Sequence, residues 1–292
     1  MARRSSAVMA TVTSALLSLM MPPFAYLLSG SVIGLITLRK GAAQGFQTIT
    51  LALAILMLFS VVANVPYQIG LGYALAIWFP VWLVAISLRW TESHGIALLV
   101  AGLIASLVII GIYIMLDDVG SWWKNWLTLM IEKNIPEGDI ADYQVALDAA
   151  VALFNAVMAV GLMLNILSSV LLARWWQANL FNRGAFRKEF YALRLPVQLL
   201  PISMILIVLT LTLGVNAQSV MLDLSIIVMV MYSIQGISAI HRVVDRYQLS
   251  AAWLFATYCL IVLLPHLTVV LACLGITDVY LDWRIKKNIL GK

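Results

Sequence analysis

Few side chains in this sequence combine a chemically useful group with a setting that makes it worth using. Asp148, Asn155 and Asn165 lie in one long apolar run, and at about 100° per residue they fall within about 100° of one another around a helix. Such a face can line a shared polar cavity. Asp223 and Gln235 lie in a second apolar run. Carboxylates and amides in lipid are costly unless paired or solvated, so these five residues are the candidate lining of a ligand cavity. Asp223 also has a bland reading, because it stands within one turn of the end of its run, where snorkelling to water is cheap.

Bond-making chemistry finds no comparable support. His241 sits at the end of a run and His266 beside Pro265, each alone. There is no HExxH, no His/Cys cluster, no paired carboxylate, no Walker A sequence and no GxSxG, so neither metal nor acid–base catalysis is expected. Cys259 and Cys273 lie inside apolar segments without a CxxC spacing and read as packing thiols. The expectation is a protein that is not an enzyme and that needs no cofactor or metal.

A second constellation mixes cations with aromatics. Residues 174–196 carry Phe186, Arg187, Phe190 and Arg194 among further basic and aromatic residues. Contact with anionic headgroups is one reading, and docking of a protein partner through those four residues is the other.

The elements that must position these groups follow from composition. The 292 residues are 63% hydrophobic and 11% charged, against roughly 45–50% and 25% in soluble domains. Apolar runs near 20 residues recur along the chain, as a hydrocarbon core about 30 Å thick requires of helices. Six spans are expected, at 46–63, 69–88, 96–116, 145–173, 197–213 and 220–240. Each must be helical, since lipid offers no partner for backbone N–H and C=O groups. At either end stands a pair of shorter apolar legs: 7–20 and 24–38 around Met21-Pro22-Pro23, and 249–264 and 266–280 around Pro265. Proline removes a donor and disfavours helix in the residue before it, so each pair should bend there and return to its starting side. The fold class is thus an all-α polytopic bundle of eight to ten membrane segments, forming a single transmembrane domain over 1–292.

Charge fixes the expected orientation. With both pairs folded back, all of the 18 basic residues except Lys124 and Lys133 fall on one side, which the positive-inside rule makes cytoplasmic, both termini included. The N-terminal run, which resembles a signal peptide, is read as a retained first segment. The net charge of +5 then reflects topology and gives no reason to expect nucleic acid. Residues 117–144 form the longest outer connection, in which Trp122, Trp126 and Met130 recur every four residues beside Trp123 and Leu127. That stripe suits an amphipathic segment lying at the outer interface. Gly30/Gly34 and Gly41/Gly45 match GxxxG and are read as close packing within the protein.

Leu38-Arg-Lys-Gly41, Gly184-Ala-Phe-Arg-Lys-Glu-Phe190, Leu193-Arg-Leu-Pro196, Gln235-Gly236 with His241, and Leu274-Gly-Ile-Thr-Asp278 before Asp282-Trp-Arg284 read together. With these motifs the chain resembles the YybS-like family of predicted bacterial membrane proteins, a family of unknown function. The resemblance implies a multi-pass protein of the bacterial inner membrane, with distant kinship to the substrate-binding membrane subunits of energy-coupling-factor transporters. Two functions are therefore expected as alternatives. One is a small-solute transporter or substrate-binding membrane subunit; the other is a non-enzymatic membrane scaffold or assembly factor that recruits a cytoplasmic or membrane protein partner through 174–196.

Overall fold

Residues that must cross lipid have one local solution, and the chain adopts it throughout. The computed structural model describes residues 4–17, 24–64, 66–134, 140–212 and 219–290. All regular structure among them is helical: α1 Arg4–Leu17, α2 Phe24–Lys40, α3 Ala42–Val62, α4 Gln68–Tyr73, α5 Phe79–Thr91, α6 His94–Met115, α7 Val119–Asn134, α8 Ile140–Phe181, α9 Ala185–Tyr191, α10 Leu199–Thr212, α11 Val220–Arg246, α12 Ala252–Leu263 and α13 Leu267–Leu290. A π-helical turn at Ala74–Trp78 joins α4 to α5 without interrupting the helix.

Five stretches are long and apolar enough to span: Ala42–Val62, Gly70–Thr91, His94–Met115, Val145–Phe181 and Val220–Arg246. They coincide with five of the six expected spans. For the sixth, 197–213, the described residues show the helix α10 from Leu199 to Thr212, and residues 213–218, which follow it, lie outside the described ones. The start of α10 is delayed by Pro196, after which the chain makes turns closed by Leu199 N–H on the Pro196 carbonyl and Leu200 N–H on that of Val197.

The break expected at Pro265 is present between α12 and α13. Leu267 N–H turns back to the Leu264 carbonyl at 2.8 Å, and the Thr268 hydroxyl donates to the Pro265 carbonyl at 2.7 Å. The second leg runs on past the expected Tyr280 as α13. The bend expected at Met21-Pro22-Pro23 lies outside the described residues, as do the first three residues and the 134–144 side chains.

The chain divides into two compact units. The first comprises Met1–Ala101, Leu162–Leu195 and Ser238–Leu254, with α1, α2, α3 and α5 packed together. Trp78, fully buried, donates its indole N–H to the Ser29 hydroxyl at 2.8 Å, and the Tyr73 hydroxyl donates to the Ala15 carbonyl at 3.1 Å. Gly30 and Gly34 bring α2 against α8, where a Cβ would lie 2.8 Å from the Ser169 hydroxyl and 3.0 Å from the Ala173 Cβ, respectively. Gly41 serves a different purpose, turning the chain from α2 into α3 at φ 100°, which suits glycine alone.

The second unit comprises Gly102–Gly161, Pro196–Ile237 and Phe255–Lys292. Here α11 and α13 touch backbone to backbone. A Cβ on Gly236 would lie 2.1 Å from the Leu271 carbonyl oxygen, and one on Gly275 would lie 2.0 Å from that of Tyr232. The Ser203 hydroxyl, on α10, donates to Tyr232 Oη on α11 at 3.3 Å. On α7 the buried stripe is Val119 and Trp123, continued by Leu127 and Ile131, packed on Leu147, Val151 and Phe154 of α8. Of the stripe singled out from the sequence, Trp123 and Leu127 belong to this packed row, while Trp122, Trp126 and Met130 stay exposed.

A buried carboxylate held by three helices

Asp223, in the first turn of α11, is 1% exposed. The cheap exit to water expected at a span end is therefore not taken. Its Oδ2 accepts two hydrogen bonds, from Asn155 Nδ2 of α8 at 2.6 Å and from the Tyr113 hydroxyl of α6 at 3.1 Å. Asn155 is itself oriented from the other side, because its Oδ1 accepts the indole N–H of Trp123 on α7 at 3.3 Å. The edge of the Trp123 ring is fixed in turn by Trp122 and by Phe154, with centroids 4.6 Å away in both cases. Four helices thus contribute to one hydrogen-bonded chain, Trp123 to Asn155 to Asp223, with Tyr113 as a second donor.

The chain is incomplete in one place. Asp223 Oδ1 is buried and, among the described residues, has no hydrogen-bond partner. Burying a carboxyl oxygen without a partner costs on the order of 1–3 kcal/mol, and a group rigidly held by two donors on its other oxygen cannot swing away to recover that loss. What the arrangement can do chemically is bind: it offers one oriented, water-poor acceptor to a cation or to an N–H or O–H donor.

The remaining cavity candidates are distributed. Asp148 sits on the surface of the same unit, paired with Lys124 at 2.6 Å, both side chains being well exposed. Gln235 is fully buried and donates to Asp278 Oδ2 of α13 at 3.0 Å. Asn165 belongs to the first unit, where its Oδ1 is buried without a partner. Asn155 and Asp223 are the candidates that the structure shows bonded to each other. Tyr113 and Trp123 complete their network and carried no sequence signal as ligand groups, because a tyrosine at a span end and a tryptophan in an amphipathic helix both have ordinary interfacial readings.

The four docking candidates are folded onto the chain's own surface. Phe186 stacks on Phe190 at 6.3 Å and receives the edge of His94 at 6.0 Å, while Phe190 packs on His241 at 5.5 Å. Arg187 donates to the Tyr191 hydroxyl at 2.8 Å and to Asp245 at 2.6 Å. The Arg194 carbonyl lies against Gly95, where a Cβ would stand 1.7 Å from its oxygen. His94 was not singled out from the sequence; it is buried, and among the described residues neither ring nitrogen has a partner. Among the described residues, no group of three His, Cys, Asp or Glu side chains is placed to hold a metal ion.

The sequence model of a family described as "Predicted membrane protein (DUF2232)" matches residues 9–279. No curated protein matches the chain, and no solved structure does.

Proposed function

We propose that this chain, which belongs to the DUF2232 family of predicted membrane proteins, is a small-solute transporter or substrate-binding membrane subunit whose solute engages Asp223. The observation that carries this reading is the unpartnered, buried Asp223 Oδ1 beside an Oδ2 clamped by Asn155 and Tyr113. A carboxyl oxygen buried without a partner is expensive, and it is cheapest to keep where something complementary arrives to satisfy it. The solute class that fits is small and carries a cationic or hydrogen-bond-donating group. The setting we propose is the bacterial inner membrane with both ends cytoplasmic, supported by the placement of all but two of the 18 basic residues. Kinship to energy-coupling-factor substrate-binding subunits belongs to the same proposal.

The test is thermal unfolding of detergent-purified protein against a panel of small amines, amides and polyols. A ligand that binds only the folded state at 100 times its Kd stabilises it by about 2.7 kcal/mol, a shift of several degrees. The expected result is stabilisation by at least one compound, lost in Asp223→Asn. A panel that leaves the melting temperature unmoved, or an equal shift in Asp223→Asn, would remove the reading.

The scaffold alternative rests on the exposed cations Arg183, Arg187 and Lys188 around α9. In-cell crosslinking from position 188 should then trap one defined protein. Scattered or purely lipidic labelling would dismiss it.

A further inference from the structure

A second polar site lies wholly within the first unit, apart from anything Asp223 touches. A cavity of about 560 Å³ opens among the ends of α2, α5, α8 and α9, within the size range of about 300–1,000 Å³ usual for small-ligand sites. Its charged and amide walls are Arg89, Glu92, Arg174, Gln177, Asn182 and Glu189.

These groups separate into spent and unspent. Arg174 grips Glu189 with a fork, Nε to Oε2 at 2.8 Å and Nη2 to Oε1, and donates Nη1 to Gln177 Oε1 at 2.7 Å. That wall is neutral, and planar Arg–carboxylate pairing makes it stiff. Arg89 uses Nη1 alone, on the Thr37 and Leu38 carbonyls that end α2. Arg89, Glu92 and Asn182 are exposed. Among the described residues no protein group bonds to Arg89 Nε or Nη2, to the Glu92 carboxylate, to the Asn182 side-chain amide or to Gln177 Nε2, so a ligand competes there with water alone. Glu92 holds the left-handed cap of α5 at φ 53°, a conformation that glycine would adopt at less cost.

One cation and one anion are therefore left unspent, three positions apart at the end of α5. A simple anion drawn to Arg89 would meet Glu92, and a simple cation drawn to Glu92 would meet Arg89. We propose that this cavity binds a small zwitterion, its anionic group on Arg89 with Gln177 and Asn182, and its ammonium on Glu92. Such chemistry has two sources, a free zwitterion such as an amino acid and the headgroup of phosphatidylethanolamine.

The experiment uses the full chain. In maltoside, melting temperature is read against L-alanine, L-glutamine and phosphoethanolamine. In parallel, nanodiscs of phosphatidylethanolamine and of phosphatidylcholine are compared by native mass spectrometry for lipid that stays bound. A shift with the soluble probes identifies a free ligand, and selective retention of phosphatidylethanolamine identifies a headgroup; either result supports the site. Glu92→Gln removes an exposed charge and should fold, yet it should weaken binding about tenfold or more, as loss of a charge-assisted hydrogen bond does. Asp223→Asn should leave this binding unchanged, which separates the two sites. The proposal is overturned if neither source binds, or if binding survives intact in both Glu92→Gln and Arg89→Lys.

Discussion

The amide of Asn155 is committed at both ends, accepting from Trp123 and donating to Asp223. Replacing it with leucine, of similar volume, strands the Trp123 N–H and removes the shorter of the two bonds to Asp223. The expected loss is about 2–3 kcal/mol, since each buried group left unsatisfied costs about 1–3 kcal/mol. Tyr113→Phe removes a single, longer bond and should cost less than Asn155→Leu. Thermal unfolding in one detergent ranks the two variants, and the reverse order would contradict the network described. Asp223 itself teaches how a residue's role depends on its surroundings. A carboxylate one turn from a span end reads equally as a snorkelling group or as a buried one, and nothing in its sequence neighbours says that Tyr113 and Asn155 will close around it.

At the scale of elements, the tightest constraint is the α11–α13 crossing. Alanine at Gly275 would place its Cβ on the Tyr232 carbonyl oxygen, a backbone atom that cannot rotate away. Gly275→Ala is expected to destabilise by about 1–3 kcal/mol or more, as overpacking does. Gly111, in α6, has nothing within 4 Å of a built Cβ, so Gly111→Ala should be neutral or stabilise by roughly 0.5–1 kcal/mol. Equal melting of the two variants would mean that the crossing is looser than described. The start of α7 offers a pH test. Asp118 caps it, accepting the Ser121 hydroxyl at 2.6 Å and the Ser121 N–H at 2.9 Å. The hydroxyl bond first, and then the backbone bonds, hold its carboxyl below the usual range. The cap is therefore fully present at neutral pH and is lost as pH falls through that lowered value. Amide exchange at Ser121, corrected for intrinsic rate, should quicken in acid, and Asp118→Asn should flatten the effect.

For the whole molecule, the proposed orientation rests on charge. Once Cys259 and Cys273 are replaced, a cysteine at exposed position 148 should react with an impermeant thiol reagent from outside the cell, and cysteines at exposed positions 183 and 188 should not. The same sidedness for 148 and 183 would defeat the proposed topology. Five of the spans were legible because lipid leaves the backbone only one way to satisfy itself, so hydrophobic length nearly dictates structure. The residue at which the helix after Pro196 begins was not, because an apolar run counts the same in composition whether its first residues form turns or helix. The sequence marked the α7 stripe but not which of its residues pack on protein, for a related reason: tryptophan suits a lipid interface and a protein core alike, and adjacent rows differ by only about 100°.

The sequence by itself determined that this is a helical, multi-pass membrane protein of a family of predicted membrane proteins, with a helix break at Pro265 and cations massed between particular spans. Those properties depend on composition and on local backbone chemistry. Only the tertiary structure decided which polar groups meet. Asp148, Asn155 and Asn165 share a helical face, yet 17 residues of α8 separate the first from the last by about 25 Å. Angular position is periodic and readable, whereas the partners at a given depth come from other helices. For Asn155 they are Trp123 and Asp223, which stand 32 and 68 positions away.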